Sequence, residues 1–323
     1  MDSALQSAQR CSISVVTPVY NGEASLVELC RRLAEVLPRV AVHYEIILVN
    51  DGSRDRSWEI IAELSSRFAT VRGLNLMRNY GQHNALLCGI RAAKYEVIVT
   101  MDDDLQHAPE EISRLLEQME QGFDVVYGAP EAERHPPLRA LASRITRLAL
   151  GTAIGMELAK NVSAFRVFRT ELREAFASYH SPFVSIDVLL TWATTRFTAI
   201  PVVFQPRHSG ASNYTFTKLV RHALDMMTGF STAPLQLASL VGFTCMLFGI
   251  AVFIYVFVRY CLEGSVPGFP FLASIIAIFS GAQLFALGVI GEYLARMHFR
   301  MMNRPAYAIR DIKGESSNTP SQQ

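Results

Sequence analysis

Two stretches of this chain, Leu235 to Val258 and Phe269 to Gly291, carry no charged side chain. Each is slightly longer than the roughly 20 residues a helix needs to cross a hydrocarbon core of about 30 Å. One ordinary soluble core does not accommodate two such runs, so they read as a membrane hairpin. Its connection, Arg259 to Gly268, is short and broken by Gly264, Pro267 and Gly268. Lys218, Arg221 and His222 precede the first run, and Arg296, Arg300 and Arg304 follow the second, which predicts that both ends are cytoplasmic. Gly242 and Gly249, like Gly281 and Gly288, recur two turns apart. That spacing either packs the spans against each other or presents them to a neighbouring protomer in a homo-oligomer. The segment from Phe216 to Phe230 is amphipathic and is expected at the interface.

The rest of the 323 residues reads differently. Hydrophobic residues make up 50% of the chain, and the excess is concentrated after Pro234. A net charge of +1, with no basic arm and no interleaving of aromatic with basic residues, argues against a nucleic-acid partner. The cysteines (Cys11, Cys30, Cys88, Cys245 and Cys261) are odd in number and lack metal-ligand spacing, so reduced thiols are expected. Met1 to Arg10 is polar without an apolar signal region, which predicts that the catalytic part stays in the cytoplasm.

Between the termini, strand and helix patterns alternate. Ile13 to Val19, Tyr44 to Asn50, Val71 to Met77 and Val97 to Met101 read as strands. Leu26, Leu29, Cys30, Leu33 and Leu37 recur at helical spacing, as do Trp58, Ile61, Leu64 and Phe68, and Gln82 to Ala93 reads as a third helix. Repeated βα units imply a mostly parallel sheet with helices on both faces. Ligands of such sheets bind beyond the carboxyl ends of the strands. Three polar clusters fall there: Pro18-Val19-Tyr20-Asn21, Asn50-Asp51-Gly52-Ser53, and Asp102-Asp103-Asp104-Leu105-Gln106. Gly81 and Gly89 are expected to allow close helix–strand approach.

The last cluster follows the apolar run Val97 to Met101, so it puts three carboxylates where a buried strand must end. A hard divalent cation, Mg2+ or Mn2+, takes oxygen ligands, with substrate phosphates completing its shell. Asp102 and Asp104 would alternate onto one face with Gln106, turning Asp103 away. A solvated acidic turn before Pro109 is the plainer alternative.

Taken together, Thr17-Pro18-Val19-Tyr20-Asn21, Val49-Asn50-Asp51-Gly52-Ser53, Arg78-Asn79-Tyr80-Gly81-Gln82-His83 and Asp102-Asp103-Asp104-Leu105-Gln106 resemble the inverting glycosyltransferases of GT-A fold. More narrowly, they resemble the polyprenyl-phosphate glycosyltransferases, which include dolichol-phosphate mannose synthases and bacterial undecaprenyl-phosphate sugar transferases. Phe165-Arg166-Val167, Gly210-Ala211-Ser212-Asn213-Tyr214, Gly291-Glu292-Tyr293 and Arg304-Pro305-Ala306-Tyr307 extend the resemblance from about Ser12 to about Arg310. It implies nucleotide-sugar contacts from Pro18, Tyr20, Asn21, Asp51, Arg78, Asp102 and Asp103. It also implies a Mg2+ or Mn2+ site at Asp102, Asp104 and Gln106, and a catalytic part for Asp102, Asp104 and Arg166. Acceptor-phosphate contacts are expected from Arg134, Arg166, Arg207 and Ser212. Asn50 stands where many members have Asp, Asp103 where Ala is usual, and Asn213 where Lys is usual.

The expected architecture is α/β: a GT-A Rossmann-like, mostly parallel sheet domain over residues 12–215, after a flexible N-terminus over 1–11. An interface helix follows over 216–234, then two transmembrane helices over 235–294 and a cytoplasmic tail over 295–323. Residues 131–137 form a polar, proline-marked loop that is either a lid or plain surface, and a helix over 138–150 could lie on the membrane. The expected reaction is inverting transfer of a sugar from a nucleotide sugar, with UDP favoured, to undecaprenyl phosphate at the cytoplasmic face of a bacterial inner membrane. A processive polysaccharide synthase and an inactive membrane scaffold are the alternatives. Asp187 is the candidate base if one is used, against the plainer reading of a helix-start aspartate.

Overall fold

The computed structural model describes residues 11–130, 161–181, 184–205, 233–263, 268–302 and 304–314. The chain divides into two compact units, Met1–Tyr214 with Asn303–Gln323, and Thr215–Met302. The proposed lid, the helix over 138–150, the amphipathic segment over 216–230, and Arg134, Arg207, Ser212 and Asn213 lie outside the described residues.

The first unit opens with β1 (Cys11–Val19), α1 (Leu26–Val40), β2 (Ala41–Asn50), α2 (Ser57–Arg67), β3 (Val71–Leu76), α3 (Gln82–Ala92) and β4 (Val97–Thr100). All seven match the sequence pattern. After them come α4 (Ile112–Glu120), β5 (Val125–Pro130), β6 (Arg166–Arg169), α5 (Ile186–Ala193) and β7 (Phe197–Val202), and the chain later returns as β8 (Ile309–Lys313). The eight strands are ordered β7-β5-β6-β4-β1-β2-β3-β8. The β1/β2, β1/β4, β2/β3 and β5/β7 pairs are parallel, whereas β3/β8, β4/β6 and β5/β6 are antiparallel. The sheet is therefore mixed. Residues 309–313 are not a free tail, as the expected boundaries had them, but the edge strand on β3.

Both faces are covered, which explains why successive residues are apolar at Val15 and Val16 of β1 and from Ile46 to Val49 of β2. Ile46 and Leu48 enter one core with Leu29, Leu33, Ile61 and Leu115, while Ile47 and Val49 enter the other with Leu86, Ile90 and Leu189. Gly89 shows how tight the second layer is. A Cβ there would lie 2.3 Å from Val16 Cγ1 and 3.0 Å from Val49 Cγ2, so α3 seats on the sheet only because this residue lacks one.

In the second unit, α6 (Ala233–Glu263) and α7 (Phe269–Met301) contain candidate spans at Leu235–Leu262 and Ile278–Ala295, with mean hydropathies of 2.5 and 1.4. Large apolar side chains such as Leu240, Phe253, Leu284 and Leu287 are exposed along them, as expected of helices that face lipid. Gly249 packs against the Phe279 ring, 2.7 Å from the position of a Cβ, whereas Gly242, Gly281 and Gly288 face open space.

Gly89→Ala should overpack the α3–β1 contact and cost about 1–3 kcal/mol. Unfolding of the full chain measures this, and Val16→Ala in the same chain should recover part of the loss.

Candidate active site

The polar clusters meet because parallel β1, β2 and β4 end together: Val19 pairs with Asn50, and Val16 with Thr100. A cavity of about 250 Å³ lies beyond these ends. Pro18, Tyr20, Asp51, Asp102, Asp103 and Asp104 line it, together with Asn79, Gly81 and Gln82 from the loop entering α3.

Asp51 ties this loop to β2. Its carboxylate, 3% exposed, accepts the Tyr80 amide at 2.7 Å and the Gly81 amide at 2.9 Å. Burial lifts its pKa above the usual aspartate range, and the two amides pull it back. The approach is close: a Cβ on Gly52, whose φ is +66°, would fall 2.6 Å from the backbone of Arg78 and Asn79. Asp102 Oδ1 accepts Gln82 Nε2 at 2.6 Å. Gln82 was not singled out by sequence reasoning, although it stands in the Arg78-to-His83 motif.

The aspartate cluster is a turn and not a strand extension. β4 stops at Thr100, and Leu105 has φ 59°. Asp104 Oδ1 accepts the Gln106 amide at 3.1 Å, and the Gln106 carbonyl accepts the Gln205 amide at 2.8 Å. Gln106 is not a lining residue, and the turn brings in Asp103, which strict alternation would have turned away. Asp103 Oδ2 fits against Gly22, 2.1 Å from where a Cβ would stand. Next in the chain, His107 is bridged to Phe204 and lies 3.3 Å from Ser163 Oγ. Burial pushes its pKa below the usual histidine range, against an upward pull from Asp104.

Two other expected donor contacts are placed differently. Asn21 uses its side chain to accept the Arg54 amide at 2.9 Å, and its own amide donates to Ser53 Oγ at 3.0 Å, so it laces two loops together beside the cavity. Arg78 is exposed and stacks on Tyr80, 4.7 Å from the ring centroid. Asn50, 3% exposed, donates to Asn75 at 2.8 Å and faces the sheet instead of a base.

Arg166 departs most from expectation. It pairs in register with Thr100 and Tyr127, while Phe165 and Val167 take the opposite face in the first core. Alternation therefore sends its guanidinium inward, where it is 2% exposed, lies 5.9 Å from the Tyr127 ring and is ion-paired with Asp187. Tyr127 also donates to Asp187 at 3.1 Å. So engaged, Arg166 does not present itself to a phosphate. Asp187 does start a helix, in the first turn of α5.

Among the described residues, no three His, Cys, Asp or Glu side chains are arranged to hold a metal by themselves. A cation here would need further oxygens from a substrate, as Mg2+ commonly does.

The model for glycosyl transferase family 2 matches residues 14–176, from β1 to the residues following β6. The chain belongs to this family. An undecaprenyl-phosphate 4-deoxy-4-formamido-L-arabinose transferase of Shewanella sediminis is 35% identical over 304 residues, covering 93% of this chain and 92% of the relative. A protein of the same name from Pseudomonas aeruginosa is 36% identical, covering 96% and 93%. The chain is thus a glycosyltransferase whose relatives are undecaprenyl-phosphate sugar transferases. Among solved structures, glucosyl-3-phosphoglycerate synthase of Mycobacterium tuberculosis, in complex with Mn2+, UDP and glucosyl-3-phosphoglycerate, superposes with a TM-score of 0.51 at 18% identity. The match covers 70% of this chain and 80% of that one. It establishes the GT-A-like fold.

Arg166→Met and Asp187→Asn should each destabilise the protein, because either leaves half of a buried ion pair without its partner. Roughly 3–5 kcal/mol is expected for the arginine change. Chemical unfolding tests this, and replacing both partners with apolar residues should recover most of the loss.

Proposed function

We propose that this chain transfers a sugar from a nucleotide sugar, a UDP-sugar in the first instance, to the phosphate of a polyprenyl phosphate at the cytoplasmic face of a bacterial membrane. The observation that carries this reading is the gathering of Asp51, Asp102, Asp103 and Asp104 around one cavity at the strand ends. Carboxylates so grouped repel a bare diphosphate, and a divalent cation between them removes the conflict. Pro18, Tyr20 and Asp51 hold the nucleoside side of the donor, and the aspartate turn holds the diphosphate side. Asp102, steadied by Gln82, and Asp104, steadied by its own turn, suit the hard oxygen chemistry of Mg2+ or Mn2+. The cation, when bound, neutralises charge developing on the leaving diphosphate. The Mn2+ and UDP of the Mycobacterium tuberculosis enzyme support the same choice.

In the transfer, an acceptor phosphate oxygen bonds to the anomeric carbon as the bond from that carbon to the diphosphate breaks, inverting the carbon. No base is needed, because a phosphate monoester, with a second pKa near 6, is already anionic at neutral pH. Arg134, Arg207 and Ser212 remain the candidates for contacting it, whereas Arg166 is engaged with Asp187.

The acceptor reading draws on the relatives' names and on the two candidate spans. Full-length protein given undecaprenyl phosphate and a panel of nucleotide sugars, including a 4-deoxy-4-formamido-L-arabinose donor, should yield a glycosylated lipid by mass spectrometry. Absence of any lipid product across the panel would refute it. Asp104→Asn should lower turnover on the order of a hundredfold or more while the protein still folds and inserts, and EDTA should abolish wild-type activity. Activity surviving both treatments would remove the cation from the scheme.

We read both outer flanks of the spans as cytoplasmic. Lys218, Arg221 and His222 precede the first and Arg296, Arg300 and Arg304 follow the second, and the pairing of residues 309–313 into the sheet begun by residues 11–19 supports an even number of crossings. A reporter after Gln323 should be active only in the cytoplasm, and periplasmic activity would overturn the orientation.

A further inference from the structure

After α7 the chain returns to the first unit and grips the loop that forms one wall of the cavity. Residues 306–310 hold the start of this loop and the helix that follows it. At its entrance, the Met77 amide donates to the Ala308 carbonyl at 2.9 Å, and Arg310 donates to the Met77 carbonyl at 3.1 Å. Beyond the loop, Tyr307 packs in the second core beside α3, the helix that the loop enters. There the Arg91 guanidinium lies 5.9 Å from its ring centroid, and burial, with Cys88 beside it, shifts the phenol pKa upward against a downward pull from Arg91. Ala306 is 4% exposed, and β8 extends the grip along β3, with Leu74 facing Ile312 and Asn75 facing Asp311.

Between Met77 and α3 run Arg78, Asn79, Tyr80 and Gly81, which reach the cavity without a regular element of their own. Asn79, Gly81 and Gln82 line it, and the Tyr80 and Gly81 amides bind Asp51. We propose that residues 304–314 form a strap that sets the donor wall of the active site, with Tyr307 as its positioning residue. Donor affinity then depends on a segment that the chain reaches only after completing both apolar helices, so a protein without a finished membrane unit also lacks a finished donor site. The strap touches the donor's wall and not the reacting atoms, so its loss is read in donor KM more than in kcat. This rests on the reading of the cavity as the donor pocket.

The test uses the full-length protein, Tyr307→Ala, Tyr307→Phe and a chain ended after Met302. Amide exchange is followed at Tyr80 and Gly81, and donor KM and kcat are measured with saturating undecaprenyl phosphate. Tyr307→Ala should raise donor KM about tenfold or more with a smaller change in kcat, and should remove protection at Tyr80 and Gly81 while strands β1 and β4 keep theirs. Tyr307→Phe, which retains the ring under Arg91, should fall between wild type and Tyr307→Ala. A synthetic peptide of residues 303–314 should restore protection and KM to the shortened chain. Unchanged exchange and KM in Tyr307→Ala would overturn the proposal, as would a uniform loss of protection across the sheet, which marks a merely structural role. A wild-type protein that turns over no nucleotide sugar would sink the donor reading instead, and exchange at Tyr80 and Gly81 would still decide the strap.

Discussion

The cleft depends on the buried carboxylate of Asp51 and the two amides that it accepts from Tyr80 and Gly81. Hydrogen bonds from amides to a carboxylate are among the stronger ones available to a protein. These two close the gap between the end of β2 and the start of α3, where helix amides otherwise lack partners. Gln82 follows directly, and it carries the hydrogen bond that orients Asp102 at the end of β4. One buried carboxylate thus links the end of β2 to the loop after β3 and, through Gln82, to the residues after β4.

Burial on both faces made the first half of the sheet legible. Val15–Val16 of β1 and Ile46–Val49 of β2 are consecutive apolar residues because neighbours serve opposite cores, and α1, with Leu26, Leu29, Leu33 and Leu37 all buried, shows a clean helical stripe. β6 and β8 lack that signature. β6 has four residues, two of them arginine, and becomes a strand because β4 and β5 lie on either side of it. β8, Ile309–Lys313, is largely exposed and charged, so by composition it reads as a tail. Its strand character comes from β3, far away in sequence, and local propensity carries no trace of such a partner.

The site was legible in residue type and less so in geometry. The aspartate cluster, Tyr20, Pro18 and Asp51 do line the cavity, because strand-end clusters of a parallel sheet must converge. Period-two reasoning failed at Asp103, since it presumes an extended chain and β4 ends before the aspartates, with Leu105 at positive φ. Arg166 was misplaced for the opposite reason. The period did continue there, and it pointed the side chain into the second core, where an arginine is tolerated only because Asp187 lies across from it. Neither the antiparallel register with Thr100 nor the position of α5 can be read locally.

That pairing bears on the chemistry. A general base must reach the proton that it removes. The Asp187 carboxylate is 6% exposed and engaged by both the Arg166 guanidinium and the Tyr127 hydroxyl, so it is not presented to an acceptor. An alcohol acceptor, which must lose a proton as it attacks, would have to find another base. A phosphate acceptor has no such need. The catalytic work then reduces to holding two anions in line and balancing their charge, which is positioning and electrostatics more than proton transfer. With a phosphate acceptor, the Arg166–Asp187 pair is left with a structural part, as a buried ion pair that joins β6 to α5.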